Sequence, residues 1–263
     1  MIASGMIMIF ATLGYIASTH SPNDDNDKPM SSNIDIEISG NRKTTQLAPF
    51  DEIAIIDNMS SNTYYNLKGS CSVIVDSRLT EPQISYRDDW EHYMSVNVVN
   101  NRLEVAINFG NDNFYAINVD AQSAPVTITI PGKVKSITND VFSNFEINGL
   151  ISDNLLLTTP HGVLYNCKIQ SMVIPNKVNT SLTLENSTIG TLTFDSVNCF
   201  DEWSCSGNSF IRTIKAYGPT SYNIKSVNVE NLNYNEFIFE PIDSTANLDI
   251  STKGAIKITP IKK

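Results

Sequence analysis

Three histidines and four cysteines are all that this 263-residue chain offers in soft metal ligands and strong nucleophiles. Cys71, Cys167, Cys199 and Cys205 form no CxxC pair and keep no ligand spacing with His20, His92 and His161, which argues against a metal site. No cofactor is expected. Positive charge is also short: 18 Lys and Arg against 28 Asp and Glu leave a net charge of −10, and the basic residues are dispersed. Nucleic acid and anionic membrane both demand a basic face, so neither is expected as a partner of the body of the chain. Beyond residues 1–17 there is no long apolar run. With 41% hydrophobic residues, the chain still buries a real core, in one elongated or two modest domains.

What is present is a repeat. The phrase at residues 166–174, NCKIQSMVI, returns about every twenty residues: at 144–150, 186–194 and 208–216, and more weakly at 226–234. In an extended chain alternate residues share a face. Cys167/Ile169, Phe145/Ile147, Ser187/Ile189, Ser209/Ile211 and Val227/Val229 then form an apolar or small inner face. Two small or polar residues follow before alternation resumes at Leu150, Met172, Leu192, Ile214 and Leu232, which predicts a bend between two short strands.

Such a unit buries its inner face only by stacking on copies of itself, about 4.8 Å apart. The expectation is an all-β parallel β-helix, a β-solenoid with rungs of about twenty residues. In register, Glu146 would lie beside Lys168 and Arg212 beside Glu230, and Asn144, Asn166, Asn186 and Asn208 would form a column. The competing repeat is the leucine-rich one, of similar length and also with a periodic Asn. The Thr-rich alternation at 181–184 and the lack of helical apolar stripes between phrases favour strands.

Along the chain, residues 1–18 are expected to be a signal peptide or N-terminal anchor. They are apolar but short for a membrane span, small residues Ala17, Ser18 and Thr19 follow, and no basic residue precedes Lys28. Residues 19–43 form a polar tether in which a first strand begins near 34–38. Residues 44–130 hold short strands at 53–56, 73–75, 94–98, 103–107 and 126–130, with Asn100-Asn101 as a tight hairpin turn and one helical turn near 88–93. Residues 131–263 carry the repeats and close on a strand near 254–260.

Phe50-Asp51-Glu52-Ile53, Val73-Ile74-Val75, the stretch VNVVNNRLEV at 96–105 and VTITIP at 126–131, together with the repeats, resemble the putative auto-transporter adhesin, head GIN domain family of secreted bacterial proteins. The resemblance spans most of residues 44–263. It implies an exported, right-handed β-helical body, typical of Bacteroidetes-like organisms, with no established enzymatic activity and no functional residue to carry over. The chain departs from that family in its 12 glycines, with Asn and Ser standing where members carry Gly-rich turns.

A polysaccharide lyase or hydrolase would need carboxylates converging on one outward face. The outward ladder expected here, Glu146, Lys168, Thr188, Phe210 and Asn228, offers no such convergence. The densest polar and aromatic clusters are Asp88, Asp89, Trp90, His92 and Tyr93, and Asp201 with Trp203. Either could contact a sugar or a calcium ion with the ring as platform; a ring tucked onto the body beneath a solvated loop is the commoner outcome. Cys199 and Cys205 could close a disulfide in an oxidising compartment or stay as unpaired thiols. The function expected is a non-catalytic exported surface or periplasmic protein, an adhesin or binding module. Its partner would be a glycan or a surface protein, with membrane contact only through the N-terminal segment. The alternatives are a carbohydrate-active enzyme and a structural protein that assembles into oligomers.

Overall fold

The computed structural model describes residues 34–59, 64–109, 116–175, 180–195, 203–218, 226–241, 249–252 and 254–258. Its first strands are β1 (Ile34–Glu37), β2 (Arg42–Gln46), β3 (Glu52–Asp57), β4 (Tyr64–Val75) and β5 (Gln83–Arg87). A single 3-10 turn (Asp88–His92) precedes β6 (Met94–Val99), β7 (Arg102–Ile107) and β8 (Ala116–Ile130). There follow β9 (Ser136–Asn139), β10 (Asn144–Asn148), β11 (Ile151–Thr158), β12 (His161–Tyr165), β13 (Lys168–Ile174), β14 (Ser181–Glu185) and β15 (Thr188–Asp195). The last are β16 (Trp203–Ser206), β17 (Phe210–Gly218), β18 (Ser226–Asn228), β19 (Tyr234–Pro241), β20 (Asp249–Ser251) and β21 (Ile256–Ile258).

The strands expected in the first half all form. The Asn100-Asn101 turn has both residues at positive φ (51° and 63°) and joins antiparallel β6 and β7, as a tight hairpin requires. The fold class is all-β, but the right-handed β-helix is not what forms. Among the described residues the chain makes two large mixed sheets, mostly parallel, and no closed solenoid. One has nine strands, in the order β16-β14-β12-β10-β4-β8-β5-β2 with β1 on β8; the other has ten, in the order β21-β19-β17-β15-β13-β11-β9-β3-β7-β6. Two features break the coil. Strands β2, β5 and β6 pair antiparallel. The order of layers also doubles back, because β3 and β4 lie between β7–β8 on one side and β9–β10 on the other. The repeat is regular only from β9 onward, and that regularity does not extend to the first half.

Both sheets turn their apolar faces onto one core, which runs from Ile38 to Phe239. Cys167, Ile169, Ser187, Ile189, Ser209 and Ile211 are buried as the alternation predicts. The first and last copies, however, fall out of register with the middle ones. Residues 144–148 form β10 in the nine-stranded sheet, where Glu146 faces Val163; Lys168 lies opposite Ile151. Arg212 does not meet Glu230, since its flanking residues Ile211 and Thr213 face Tyr234 and Glu236. Leu155 and Phe237, not Leu150 and Leu232, stand level with Met172 and Ile214. The expected bend is a single skipped position within a continuous strand: Asp153, Gln170, Gly190 and Arg212 drop out of the pairing between otherwise matched neighbours.

At the four successive turns that lead from β10, β12, β14 and β16 into β11, β13, β15 and β17 the backbone takes a positive φ, at Gly149 (77°), Asn166 (53°), Asn186 (50°) and Gly207 (59°). Gly holds that conformation without strain, and Asn tolerates it better than other side chains. The next layer inward is a column of small side chains. Ser187 Oγ accepts the Cys167 N–H (2.9 Å), and Ser209 Oγ accepts the Ser187 N–H (3.1 Å). The Ser187 hydroxyl donates to the Leu164 carbonyl (2.8 Å), so these corner groups are satisfied inside the core. Of the expected Asn column, the Asn166 amide donates to Asn148 Oδ1 (3.4 Å) and the Asn208 N–H to Asn186 Oδ1 (3.2 Å). Asn144 stands apart, opposite Ser70 in β10.

Candidate functional site

Trp90 closes one end of the core instead of facing outward. The 3-10 turn tucks its ring fully inside (0% exposed), where Nε1–H donates to the Ala124 carbonyl (3.0 Å) and Phe142 meets it edge-on at 6.1 Å. Tyr93 is half-buried and packs against Phe109 at 5.5 Å. The carboxylates beside them are already engaged. Asp89 accepts the Ser39 and Gly40 N–H groups (3.0 and 2.8 Å), and Asp88 accepts the Asn41 N–H (2.9 Å). Partial burial pushes the Asp89 carboxyl up, but those backbone donors outweigh it and hold it below the usual range. Glu91 is held low by its hydrogen bond from Lys43 (2.5 Å) and by the Tyr86 hydroxyl (3.0 Å). His92 is exposed, edge-on to Tyr93. This cluster is therefore a clasp that fastens the 39–41 turn to the body, with the Trp90 ring inside the core and the His92 ring at the surface.

Trp203 is likewise buried (1% exposed), its Nε1–H donating to the Thr180 carbonyl (2.7 Å) and its ring packed on Phe194 at 4.8 Å. Asp201 and Cys199 lie outside the described residues. Cys205 is a half-buried free thiol, and Cys71 and Cys167 are buried free thiols. Burial raises all three above the ordinary thiol range, which leaves them protonated and weakly nucleophilic.

The outward face of the ten-stranded sheet holds what the sequence register concealed. Ile151, Lys168, Thr188 and Phe210 stand side by side on β11, β13, β15 and β17. Next to them runs the skipped column of Asp153, Gln170, Gly190 and Arg212. Gly190 leaves this column without a side chain at its middle, and a Cβ there would come within 2.5 Å of the Gln170 carbonyl oxygen. The two rows enclose an open trough of about 470 Å³, within the size range of small-ligand sites. Its rims carry two long cations, Lys168 on β13 and Arg212 on β17, and neither forms an ion pair among the described residues. The carboxylate lining it, Asp153, is bound by Lys133 at 2.6 Å. Ile151 (59% exposed) and the half-buried Phe210 ring add apolar surface.

Neither a scan against protein-family models nor a search of curated proteins finds a match, so membership of the head GIN domain family is not shown. Solved structures do match. A putative adhesin from Bacteroides fragilis is 18% identical, covers 85% of this chain and 100% of its own, and superposes with a TM-score of 0.46. A putative lipid binding protein from Parabacteroides distasonis is 11% identical, with coverages of 86% and 100% and a TM-score of 0.42. A putative adhesin from Parabacteroides merdae is 9% identical, with coverages of 88% and 100% and a TM-score of 0.36.

Lys168, Thr188 and Phe210 were legible as one outward row from the repeat itself. Ile151 and Asp153 were not, because their place depends on the register of the first copy, whereas Arg212 aligns with Gln170 and Gly190 in the repeat itself. The signal that could have found the hollow is Gly190, which replaces the Gln170 and Arg212 of neighbouring copies.

Proposed function

We propose that the chain is an exported, non-catalytic binding module of the cell surface or periplasm, adhesive in role and allied to the head GIN domain family. The trough carries this reading. It lies on strands paired on both sides, so its contact groups are held by a rigid sheet. Those groups are an ammonium, a guanidinium, a hydroxyl, an amide and a ring. Glycoside hydrolysis uses two carboxylates about 5–10 Å apart, and this trough presents one, already tied to Lys133. The apolar residues 1–17 supply the export segment in this reading.

The test is to incubate the full chain with bacterial envelopes and with purified surface polysaccharides, measuring retention by sedimentation and products by mass spectrometry. Retention without new products is expected. Release of shortened or unsaturated sugars would sink the proposal.

A further inference from the structure

The proposed function leaves the ligand of the trough unnamed, and its chemistry narrows the choice. On a protein of net charge −10 the general field repels anions. Among the described residues Lys168 and Arg212 nevertheless form no ion pair on one open face, although other basic residues around them, Lys133 and Lys215, are matched with Asp153 and Glu240. Strand spacing sets the backbones at these two positions about 12 Å apart, two strands over and two residues along. Between them on β15 lies the Thr188 hydroxyl, with Gly190 opening the floor, while the Gln170 amide stands beside Lys168 on β13 and the Phe210 ring beside Arg212 on β17.

A peptide would more readily dock by adding a strand or by filling apolar pockets. Neither route is available here, because the backbones of β13 and β15 are hydrogen-bonded on both sides and the floor is mostly polar. Recognition must come from side chains alone. Spaced hydroxyl, amide and ring contacts together with two cations match a chain of sugar rings that carries anionic groups.

We propose that the trough along Lys168, Thr188, Phe210 and Arg212 binds an anionic saccharide, a glycan segment bearing carboxylate or sulfate groups. This rests on the binding-module reading above. Lys168 and Arg212 each take an acidic substituent, and Phe210, beside Arg212 on β17, stacks on a ring face. Attraction at this range is screened within about 10 Å at 0.1 M salt, so affinity falls as salt rises.

The test uses the full chain in calorimetry against four probes: an oligogalacturonate for carboxylate, a heparin-derived oligosaccharide for sulfate, a neutral cello-oligosaccharide and a poly-glutamate peptide. One or both acidic saccharides should bind, and which of them does so identifies the anionic group. Lys168→Gln and Arg212→Gln should each weaken that binding about tenfold, the scale of one charge-assisted contact. Lys215→Gln, on the same sheet face but matched with Glu240, should not. All three side chains lie at the surface, and unchanged melting temperatures would confirm that the fold is intact. The proposal fails if the neutral saccharide binds as well as the acidic ones, if poly-glutamate is preferred, or if acidic binding ignores both trough variants. It also fails if no saccharide binds. In that last case retention on envelopes decides the wider reading: persistence leaves the binding module standing without this ligand, and loss overturns both.

Discussion

Ser187 shows how much one hydroxyl does in this protein. It accepts from the Cys167 backbone and donates to the Leu164 carbonyl in a place without water access. Ser187→Ala keeps the size but orphans a buried N–H, and should cost about 1–3 kcal/mol, measurable as a lowered urea midpoint with unchanged slope. A second expectation concerns acid. The Asp89 and Glu91 carboxyls are held below their unfolded-chain values. Their contribution is therefore present above those values and is lost as pH falls through the folded ones. NMR should show the Ser39 and Gly40 amides moving toward unbound shifts below about pH 4, before the core signals change; unison with the core would refute a local clasp. Part of this was readable in sequence. Asn166 and Asn186 announce the left-handed corners by their chemistry. The buried fate of Trp90 and Trp203 was not, because a Trp between acidic residues looks the same whether its ring is inside or out.

The strand pairs β13–β15 and β15–β17 carry the in/out alternation, and it can be tested one residue at a time. Ile189 is 2% exposed and its neighbour Thr188 is exposed. Ile189→Asn should cost about 2–5 kcal/mol, and Thr188→Asn should be close to neutral. Equal losses in thermal melts would overturn the register. Gly190→Ala pushes a methyl against the Gln170 carbonyl and should cost about 1–3 kcal/mol, the separation of β13 and β15 being the only relief. Alternation alone located the strands of the middle copies. It could not say which sheet a copy joins, since both sheets face the same core with the same period. Residues 144–148 match the phrase yet belong to the opposite sheet from residues 168–174, and that swap carried Glu146 away from Lys168.

Over the whole molecule, the single core makes the closed end decisive. Trp90 meets Phe109 and Phe142 beneath the 3-10 turn, and Phe109 in turn meets Tyr65 and Tyr93. Trp90→Ala should cost about 3–5 kcal/mol and expose apolar surface at that end. Dye binding that increases in the folded protein would register it, and an unchanged signal would show that the aromatic cluster does not seal the core. The all-β class was legible from composition and periodicity. The arrangement of layers was not, because nothing local in residues 44–130 encodes that later strands will come back to sit beside earlier ones.

That return sets the order in which the molecule can be built. Residues 52–55 pair on one side with 102–105 and on the other with 136–139, and β4 likewise waits for β10. A chain emerging from the ribosome or an export channel therefore holds open strand edges until just past the middle of its length has arrived. Contacts so far apart in sequence form slowly, and unpaired edges invite association with other chains. The later layers have no such delay, for each finds its neighbour already in place. Synthesis halted after residue 130 should leave an aggregating fragment, whereas the same halt after residue 218 should leave the first half complete, with one growing edge on each sheet, β16 and β17.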